Sequence, residues 1–290
     1  MDLAQLDTFL TVAAEGSFSR AGKKLLRTQP AISLTLKRLE ADLGERLIDR
    51  SSKDLVLTDA GRLVLDYARR FHNIRRELRN ALSELRDKQA GRLTIGANES
   101  TALYLIRHIE KFRRLYPKVK VEIRRSLSSQ IPEEVLTGAL DLGAISYHPG
   151  GGDLVSTVIY NDALAFVVSP AHRFAGRAEV TIQELGMETF IAHNVVSPFR
   201  EKVLEVFEQH DVPLHMDIEM PTIETIRKLV QLNLGVAFLP RMCVEQEVAG
   251  GSLIEVGVRE IQVERKIRLV QPARRPLSYA GQAFLTVVQG

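Results

Sequence analysis

The sequence has little cysteine, glycine or proline and no long hydrophobic run, and each shortage excludes a class of protein. A single cysteine, Cys243, cannot form an intramolecular disulfide or supply a Cys-x-x-Cys metal or redox pair. Nineteen glycines and eleven prolines in 290 residues, of which 45% are hydrophobic, exclude a disordered or low-complexity chain. Because there is no basic leader and no apolar stretch long enough for a bilayer, we expect a globular protein of the cytoplasm.

The length and the charge distribution suggest where a polyanion would bind. At about 100 to 200 residues per domain, the chain has room for two or three domains. The net charge of +3 is uneven: residues 1–58 hold 9 Lys/Arg against 8 Asp/Glu, residues 59–89 hold 8 against 5, and residues 90–290 hold 22 against 23. A nucleic acid would therefore meet the N-terminal third, although so small an excess is also typical of an ordinary solvated surface.

Three short helices are predicted in the first 43 residues. Apolar residues recur at helical spacing through residues 3–14, and Ser17 is a natural N-cap for a second helix that runs to about Leu26. Thr28 caps a third helix, in which Ile32, Leu36, Leu39 and Leu43 step by 4, 3 and 4. A tight turn joins the second and third helices, which is the arrangement of a helix-turn-helix.

A wing and a long helix follow. Residues 47–58 predict two short strands around a Ser-Ser-Lys-Asp turn. A helix over about residues 58 to 88 would be roughly 45 Å long. Its apolar residues follow a heptad seam, which consists of Val64, Tyr67, Phe71, Ile74, Leu78, Ala81 and Leu85. So narrow a stripe favours dimerisation over packing against the helix's own domain.

From Gly91 onward, strands alternate with helices, which predicts an α/β region. Predicted strands cover residues 92–96, 119–125, 141–146, 155–160, 163–169, 190–193, 215–220, 235–240 and 266–271. Predicted helices cover residues 102–115, 131–140, 198–210 and 223–232, and a last one begins near 276. Two hundred residues with this pattern are enough for two α/β lobes.

The N-terminal order of helix, capped turn, helix, wing and dimerising helix is what major-groove recognition requires. Gln29 suits bidentate bonding to adenine, Ser33 and Thr35 can donate to bases or phosphates, and Leu34 can contact a thymine methyl. The predicted DNA-binding residues are Ser17, Arg20, Thr28, Gln29, Pro30, Ser33, Leu34, Thr35, Lys37 and Arg38, with Arg50 and Lys53 near the wing. A polar helix face with no nucleic-acid role is the alternative.

Residues 9–61 resemble the LysR-type transcriptional regulators, and the resemblance extends over essentially the whole chain. The matching motifs are Gly16-Ser17-Phe18-Ser19, Gln29-Pro30-Ala31-Ile32-Ser33, Leu39-Glu40, Leu43-Gly44 and Leu57-Thr58-x-Ala60-Gly61, with later matches at Tyr116-Pro117, 140–145, 172–175 and 234–240. Two departures matter. Gly22 stands where the family prefers Ala, which predicts a slightly weaker second helix. Leu34-Thr35 replaces a more usual polar pair, so the bases read there cannot be carried over.

The resemblance implies a winged helix-turn-helix, a linker helix that pairs in an antiparallel dimer, and a C-terminal effector domain built like the periplasmic solute-binding proteins. The implied domains are residues 1–58, with the helix-turn-helix at about 18–37, residues 59–89 and residues 90–290. Lobe I would comprise about 91–161 and 266–290, and lobe II about 162–265. The crossovers near 161 and 266 would form a hinge.

A small-molecule effector of unknown identity is expected in the cleft between the lobes. The candidate effector-binding residues are Asn98, Glu99, Ser100, Thr101, Ser128, Ser129, Ser146, His193, Asn194, Ser197, Thr222 and Glu224. Several precede helices, where free N–H groups favour an anion. Glu99 and Glu224 favour an ammonium group instead, and for the serines and threonines simple helix capping is a further alternative.

These observations predict an effector-responsive, DNA-binding transcriptional regulator. It would act as a homodimer or homotetramer on an interrupted inverted repeat of double-stranded DNA, with RNA polymerase as a further partner and no membrane. Ligand binding would change lobe closure, DNA bending and polymerase access. No enzyme activity, metal or other cofactor is predicted, and Cys243 is expected to be a buried small hydrophobe. The alternative is a cytoplasmic solute-binding or sequestering protein whose N-terminal module serves only assembly.

Overall fold

The computed structural model describes residues 1–49, 54–86, 90–195 and 197–290. The chain divides into two compact units, the first containing four helices and a two-stranded wing and the second containing the α/β elements. Two predicted DNA contacts at the wing, Arg50 and Lys53, lie outside the described residues. The predicted domain boundaries at residues 58 and 89 remain predictions.

The first unit contains the helices and the wing that the sequence predicts. Its elements are α1 (Leu3–Glu15), α2 (Phe18–Leu25), α3 (Gln29–Leu43), β1 (Ile48–Asp49), β2 (Val56–Leu57) and α4 (Asp59–Arg86). The side chains of Asp2, Ser17 and Thr28 each accept a hydrogen bond from the first turn of α1, α2 and α3. The antiparallel strands β1 and β2 form the wing. Local capping and a 3.6-residue period therefore place α1, α2 and α3.

One apolar cluster holds the first unit together. Phe9 of α1 and Ile32 and Leu39 of α3 are fully buried in it. The carboxylate of Glu40 accepts a hydrogen bond from the Leu47 amide at 2.9 Å, which ties the end of α3 to the start of the wing. Because one face of α3 is buried in this cluster, the opposite face points to solvent. The orientation of the predicted reading surface therefore depends on the cluster.

Gly22 is required by the turn between α2 and α3, contrary to the expectation that it only weakens α2. A Cβ built on Gly22 would lie 2.7 Å from the carbonyl oxygen of Arg27, a backbone atom that cannot move aside. We expect Gly22→Ala to lower the free energy of opening this unit by about 1–2 kcal/mol, because the clash outweighs the better helix propensity of alanine.

Hydrogen exchange in the full chain measures the Gly22 effect. Amides of residues 3–43 should exchange roughly 5- to 30-fold faster in Gly22→Ala than in the parent protein. Ser19→Ala, an exposed substitution in the same helix, is the control and should leave exchange nearly unchanged. Slower exchange in Gly22→Ala would show that propensity dominates and that the steric argument is wrong.

The second unit is a mixed α/β structure. Its strands are β3 (Gly91–Ala97), β4 (Val119–Arg125), β5 (Leu142–Ile145), β6 (Leu154–Val168), β7 (Glu179–Val180), β8 (Thr189–His193), β9 (His215–Met220), β10 (Ala237–Pro240), β11 (Ile254–Val258) and β12 (Glu264–Pro272). Its helices are α5 (Glu99–Leu115), α6 (Ile131–Leu136), α7 (Ile182–Leu185), α8 (Pro198–Gln209), α9 (Ile223–Gln231), α10 (Glu245–Ala249) and α11 (Tyr279–Gln289), with a 3₁₀ turn at Arg241–Cys243.

Two long antiparallel strands connect the lobes of this unit. The main sheet runs β4-β3-β5-β12-β6-β11-β7, and β10 also pairs with β6. β3 is parallel to both β4 and β5, while β12 is antiparallel to β5 and β6. The two predicted crossover positions, Asn161 and Lys266, are register partners in the β6–β12 ladder. The predicted α/β class is confirmed.

Two predictions of secondary structure in this unit are wrong. Residues 155–160 and 163–169 form the single strand β6, because the polar residues Asn161 and Asp162 continue the ladder with β12 instead of forming a turn. The predicted helix 131–140 ends at Leu136, just before Gly138, whose φ of +74° is not helical. The short strands β7 and β11 and the helices α7 and α10 were not predicted.

Cys243 is buried, as predicted. It lies 4% exposed in an apolar cluster with Ile226 and Leu239, and burial raises the pKa of its thiol to about 12. Because the thiolate is the species that peroxide oxidises, we expect hydrogen peroxide to leave Cys243 unmodified in the folded protein.

Mass spectrometry of the peptide that contains Cys243 tests this expectation. After peroxide treatment, fragmentation of the peptide should locate no added oxygen on Cys243 of the folded protein, whereas Cys243 of protein unfolded in urea should gain oxygen; oxygen on the neighbouring, partly exposed Met242 is scored separately. Operator binding should respond to peroxide in the same way in the parent and in Cys243→Ser. Oxidation of Cys243 under native conditions would mean that the thiol is reachable and activated, against the burial argument.

Candidate functional site

The third helix presents its polar face outward. Ile32, Leu36 and Leu39 are buried, and the predicted contacts on the other side are exposed at Gln29, Pro30, Leu34, Lys37 and Arg38 and partly exposed at Ser33 and Thr35. Leu34 is 51% exposed, so its side chain is accessible to a thymine methyl. The exposed set forms one continuous strip along α3 that is available to a partner.

Three predicted contacts also have local structural roles. The Ser17 hydroxyl accepts from the Arg20 amide at 3.4 Å, and the Thr28 hydroxyl accepts from the Ala31 amide at 3.4 Å. The Arg20 guanidinium donates to the Glu15 carbonyl at 2.9 Å through Nε. These bonds stabilise the helix ends, so DNA binding by Ser17, Arg20 and Thr28 stays a prediction. Arg27, an exposed cation beside the Thr28 cap, was missed, although its position before an N-cap is readable from the sequence.

The heptad seam of α4 is exposed within the first unit. Tyr67, Phe71, Ile74, Leu78 and Leu85 are between 43% and 82% exposed, whereas Val64 is partly buried against the core. Leu82, which the sequence reasoning did not include because it placed Ala81 in the seam, is 46% exposed. An apolar face of this length on one helix needs a covering surface.

A cavity of about 1040 Å³ lies in the second unit. One side, here called the polar wall, comprises Asn98, Glu99, Ser100, Arg124, Arg125, Ser126, Ser128, Ser129, Gln130, Glu134, Ser146 and Tyr147. The other side, here called the apolar wall, comprises Leu164, Phe190, Ile191, Val195, Pro198, Phe199, Val203, Met216, Ile223, Phe238 and Leu239. Leu127 also lines the cavity next to the polar wall, and His193, Ser197 and Arg200 line it among the residues of the apolar wall, so the two walls differ in the proportion of polar groups.

Eight of the twelve predicted effector residues line this cavity. They are Asn98, Glu99, Ser100, Ser128, Ser129, Ser146, His193 and Ser197. The other four, Thr101, Asn194, Thr222 and Glu224, lie outside the lining of the cavity in the described part of the chain. The role of all twelve in effector binding stays a prediction.

Helix capping and cavity lining coincide at two of these positions. The Asn98 carboxamide accepts from the Thr101 amide at 2.9 Å, while its Nδ2 donates to the Ser128 hydroxyl at 2.8 Å. Ser197 caps α8 by accepting from the Arg200 amide at 3.2 Å. Capping therefore holds the N-termini of α5 and α8 at the cavity, where helix dipoles favour negative charge.

Glu99 and Glu224 differ in their surroundings. Glu99 Oε1 accepts from the Ile223 amide at 2.9 Å, and its Oε2 lies 3.5 Å from His193 Nε2. Glu99 thus joins the N-termini of α5 and α9. The Glu224 side chain is 55% exposed and pairs with Arg227.

Arg265 is a cavity residue that the sequence reasoning missed. It is 3% exposed, and its Nη1 lies 3.3 Å from Asp162 Oδ2 in an ion pair. Its Nη2 donates to the Ser100 hydroxyl at 3.2 Å, and its guanidinium carbon lies 4.7 Å from the centroid of the Phe199 ring. Burial lowers the pKa of Arg265 and raises that of Asp162, since burial disfavours the charged form of each.

Arg265 also has hydrogen-bond donors that no acceptor of the described residues satisfies. Nε and Nη1 are buried and have no hydrogen-bond partner among the described residues.

The position of Arg265 was predictable from the sequence. Ile261, Val263, Ile267 and Leu269 alternate inward along this segment, and Arg265 occupies the same inward register.

The described residues contain neither a candidate metal cluster nor a candidate membrane span. No group of three or more His, Cys, Asp or Glu side chains there could hold a metal ion. No helix of the described chain has both the length and the apolarity needed to cross a membrane.

Two family models match the chain. One, described as "Bacterial regulatory helix-turn-helix protein, lysR family", matches residues 3–62, and the other, described as "LysR substrate binding domain", matches residues 86–290. The chain belongs to the LysR family. A probable RuBisCO transcriptional regulator from Cyanophora paradoxa is 32% identical to this LysR-family chain, covering 97% of it and 89% of the relative. Another from Synechocystis sp. is 30% identical, covering 99% and 85%.

Solved structures share the fold of this LysR-family protein. Full-length CbnR in complex with its target DNA has a TM-score of 0.75 at 19% identity, covering 100% of this chain and 99% of that one. The Synechocystis CcmR regulatory domain in complex with 2-PG has a TM-score of 0.62 at 23% identity, covering 68% and 95%. The predicted winged helix-turn-helix, linker helix and two-lobed effector domain are thereby confirmed as the fold class. The protein is a DNA-binding transcriptional regulator with an effector-binding domain.

Proposed function

We propose that this LysR-family regulator binds an interrupted inverted repeat in double-stranded DNA as a homodimer or a dimer of dimers. The observation that carries the proposal is the pairing of two exposed surfaces in the first unit. The polar strip of α3 has the size and the polar side chains of a surface that reads the major groove. The apolar seam of α4 suits pairing with the same helix of a second copy. A two-fold protein requires a two-fold site.

The reading of bases would fall to the exposed strip. Gln29, Ser33 and Arg38 would contact base edges or phosphates, and Leu34 would meet a thymine methyl. Lys37 would contact the backbone, which positions the protein without reading sequence. Phe71, Ile74 and Leu78 would be buried against the partner's α4.

Regulation would come from a ligand in the cavity of the second unit. The ligand would shift the closure of the two lobes about the β6–β12 ladder, and this shift would change the relation of the two DNA-binding modules in the dimer. Such a ligand must bind one arrangement more tightly than the other, and its preference sets the size of the effect. DNA bending and the access of RNA polymerase would then change.

We assign the protein a regulatory role without catalysis, in the cytoplasm and on the nucleoid. Support comes from the family, whose members are transcriptional regulators. The polar side chains that line the cavity are mostly serines and arginines, which suit binding of a ligand more readily than its conversion.

A salt titration of duplex binding tests this function against a sequestering role. If a dimer neutralises six to ten phosphates, affinity should fall about 10³- to 10⁵-fold between roughly 50 and 200 mM salt. Fluorescence anisotropy with a labelled duplex from the promoter region of the protein's own gene is the measurement. A protein whose N-terminal unit serves only assembly would show no duplex affinity even at the lowest salt, and that result would reject the proposal.

A further inference from the structure

We infer that the effector is an amphipathic organic anion, whose acidic group binds Arg265 and whose apolar body packs against the apolar wall. The inference rests on the proposed function, because it takes the cavity as the effector site. It excludes two other classes of ligand that the sequence left open, ammonium compounds and small, wholly polar anions.

The charges around the cavity favour an anion. Four arginines and two glutamates line it. Glu134 accepts from the Ser126 hydroxyl at 2.7 Å, and Glu99 accepts from the Ile223 amide through Oε1. Glu99 Oε2 is buried without a hydrogen-bond partner among the described residues, but it faces His193 Nε2 at 3.5 Å, which would compete with an ammonium group for this oxygen. Glu224, which the sequence suggested as a second acid, lies outside the cavity lining of the described chain and pairs with Arg227. The N-termini of α5 and α8 add to the positive potential.

Arg265 is the best anchor for the acidic group. It is buried, and it keeps two nitrogens without hydrogen-bond partners, a state that is costly for a charged group. Asp162 supplies a counter-charge at 3.3 Å but also accepts from the Met242 amide at 3.1 Å. A carboxylate on the ligand could accept a charge-assisted hydrogen bond from Nε or Nη1. Ser100 holds the guanidinium in place, since its hydroxyl accepts from Arg265 Nη2 at 3.2 Å and donates to Asn98 Oδ1 at 3.1 Å.

The apolar wall indicates that the ligand also has an apolar part. Phe190 and Phe238 stack with their ring centroids 5.7 Å apart and their planes 7° from parallel, and Phe199 covers Arg265 from the same side. The cavity volume of about 1040 Å³ is at the upper end of the range of about 300–1,000 Å³ for ligand pockets. Phe190 is already buried, so the apolar surface left for a ligand comes from partly exposed residues such as Phe199, Met216 and Phe238. A small polar anion would leave this surface facing water, whereas a hydrocarbon or aromatic body would cover it at about 25 cal/mol per Å².

Matched probes separate the two requirements. We would measure binding to the full chain by isothermal titration calorimetry with 4-phenylbutyrate, 4-phenylbutan-1-ol, 4-phenylbutylamine, butyrate and inorganic phosphate. The alcohol lacks the charge, the amine reverses it, and butyrate and phosphate lack the apolar body. We expect 4-phenylbutyrate to bind at least about tenfold more tightly than every other probe.

A variant tests the anchor. Arg265→Gln combined with Asp162→Asn removes both buried charges together, so that no unpaired carboxylate is left in the interior. In this variant the affinity for 4-phenylbutyrate should fall about tenfold, to that of the alcohol, whose own affinity should be unchanged. Arg268→Gln is the matched control, because Arg268 lies on the same strand β12 but outside the cavity lining of the described residues. It should bind 4-phenylbutyrate as the parent does.

Each outcome decides something about the ligand class. Three results would overturn the inference: the amine binds more tightly than 4-phenylbutyrate, butyrate or phosphate binds as tightly, or 4-phenylbutyrate shows no binding up to roughly 10 mM. A dissociation constant above roughly 10 mM would be weak even for a fragment. An unchanged affinity in the double variant would overturn the assignment of Arg265. The salt titration on the same preparation tests DNA binding independently. If the protein binds the duplex but does not prefer 4-phenylbutyrate, the proposed ligand class is wrong and the DNA-binding function is retained.

Discussion

Replacing Phe71 and Leu78 by aspartate is expected to turn the protein into a monomer that binds its operator at least about 100-fold more weakly. Both side chains lie in the exposed seam of α4 and are 43% and 58% exposed in the single chain. A carboxylate at either position would be buried in the apolar interface if the helices pair, and the four carboxylates that a dimer would then hold there are strongly destabilising. Loss of the dimer removes the gain from binding two half-sites at once.

Analytical ultracentrifugation and duplex anisotropy, on the same samples, measure the two effects. Arg69→Asp is the control, because this single change at an exposed position of α4 off the seam lowers the net charge by as much as Phe71→Asp and Leu78→Asp together. The control should remain a dimer and keep its affinity within a few-fold. A double variant that stays dimeric would show that the chain pairs through another surface.

Replacing Ser33 and Arg38 by alanine should also lower operator affinity by about 100-fold or more while leaving ligand binding intact. Arg38 is exposed and Ser33 partly exposed on the strip of α3. Each base contact contributes about 1–3 kcal/mol, and a dimer loses each contact twice. Binding to unrelated duplexes should fall much less, because phosphate contacts from Lys37 and other cations remain.

The same residue types in another place provide the control for this prediction. Arg79→Ala with Ser83→Ala removes an arginine and a serine from α4 and should change operator affinity only a few-fold. Binding of 4-phenylbutyrate, measured by calorimetry, should be the same in both double variants as in the parent, which shows that the second unit is folded. If Ser33→Ala with Arg38→Ala retained full operator affinity, the reading surface would lie elsewhere on the protein.

The first unit was predictable from sequence because its determinants are local. Ser17 and Thr28 cap the helices that follow them, and the spacing of Ile32, Leu36 and Leu39 identifies the buried face of α3 before any tertiary contact is known. The effect of Gly22 was not readable in this way. Its role depends on the carbonyl of Arg27, five residues later, which approaches only when the turn is formed.

The cavity could be predicted only in part, because its two walls are made differently. Five of the twelve polar-wall residues, namely Asn98, Ser126, Ser128, Ser129 and Gln130, come from loops that precede helices, and a serine or asparagine at such a position is visible in the sequence. The apolar wall brings together Phe190 of β8, Phe199 of α8 and Phe238 of β10, which are remote in sequence and meet only in the folded lobe. Arg265 was recognisable as a charge in an inward register, but Asp162, its partner, was hidden by the wrong prediction of a break in β6.

The most direct test of the account is to select the sequences that the full-length protein binds from a pool of random duplexes. The account predicts enrichment of an interrupted inverted repeat whose half-sites are related by two-fold symmetry and lie about 10 base pairs, or a multiple of that, apart. The Phe71→Asp/Leu78→Asp variant should enrich single half-sites at best. Recovery of no common sequence, or of one without two-fold symmetry by a dimeric protein, would contradict the claim that α3 is presented twice to the groove.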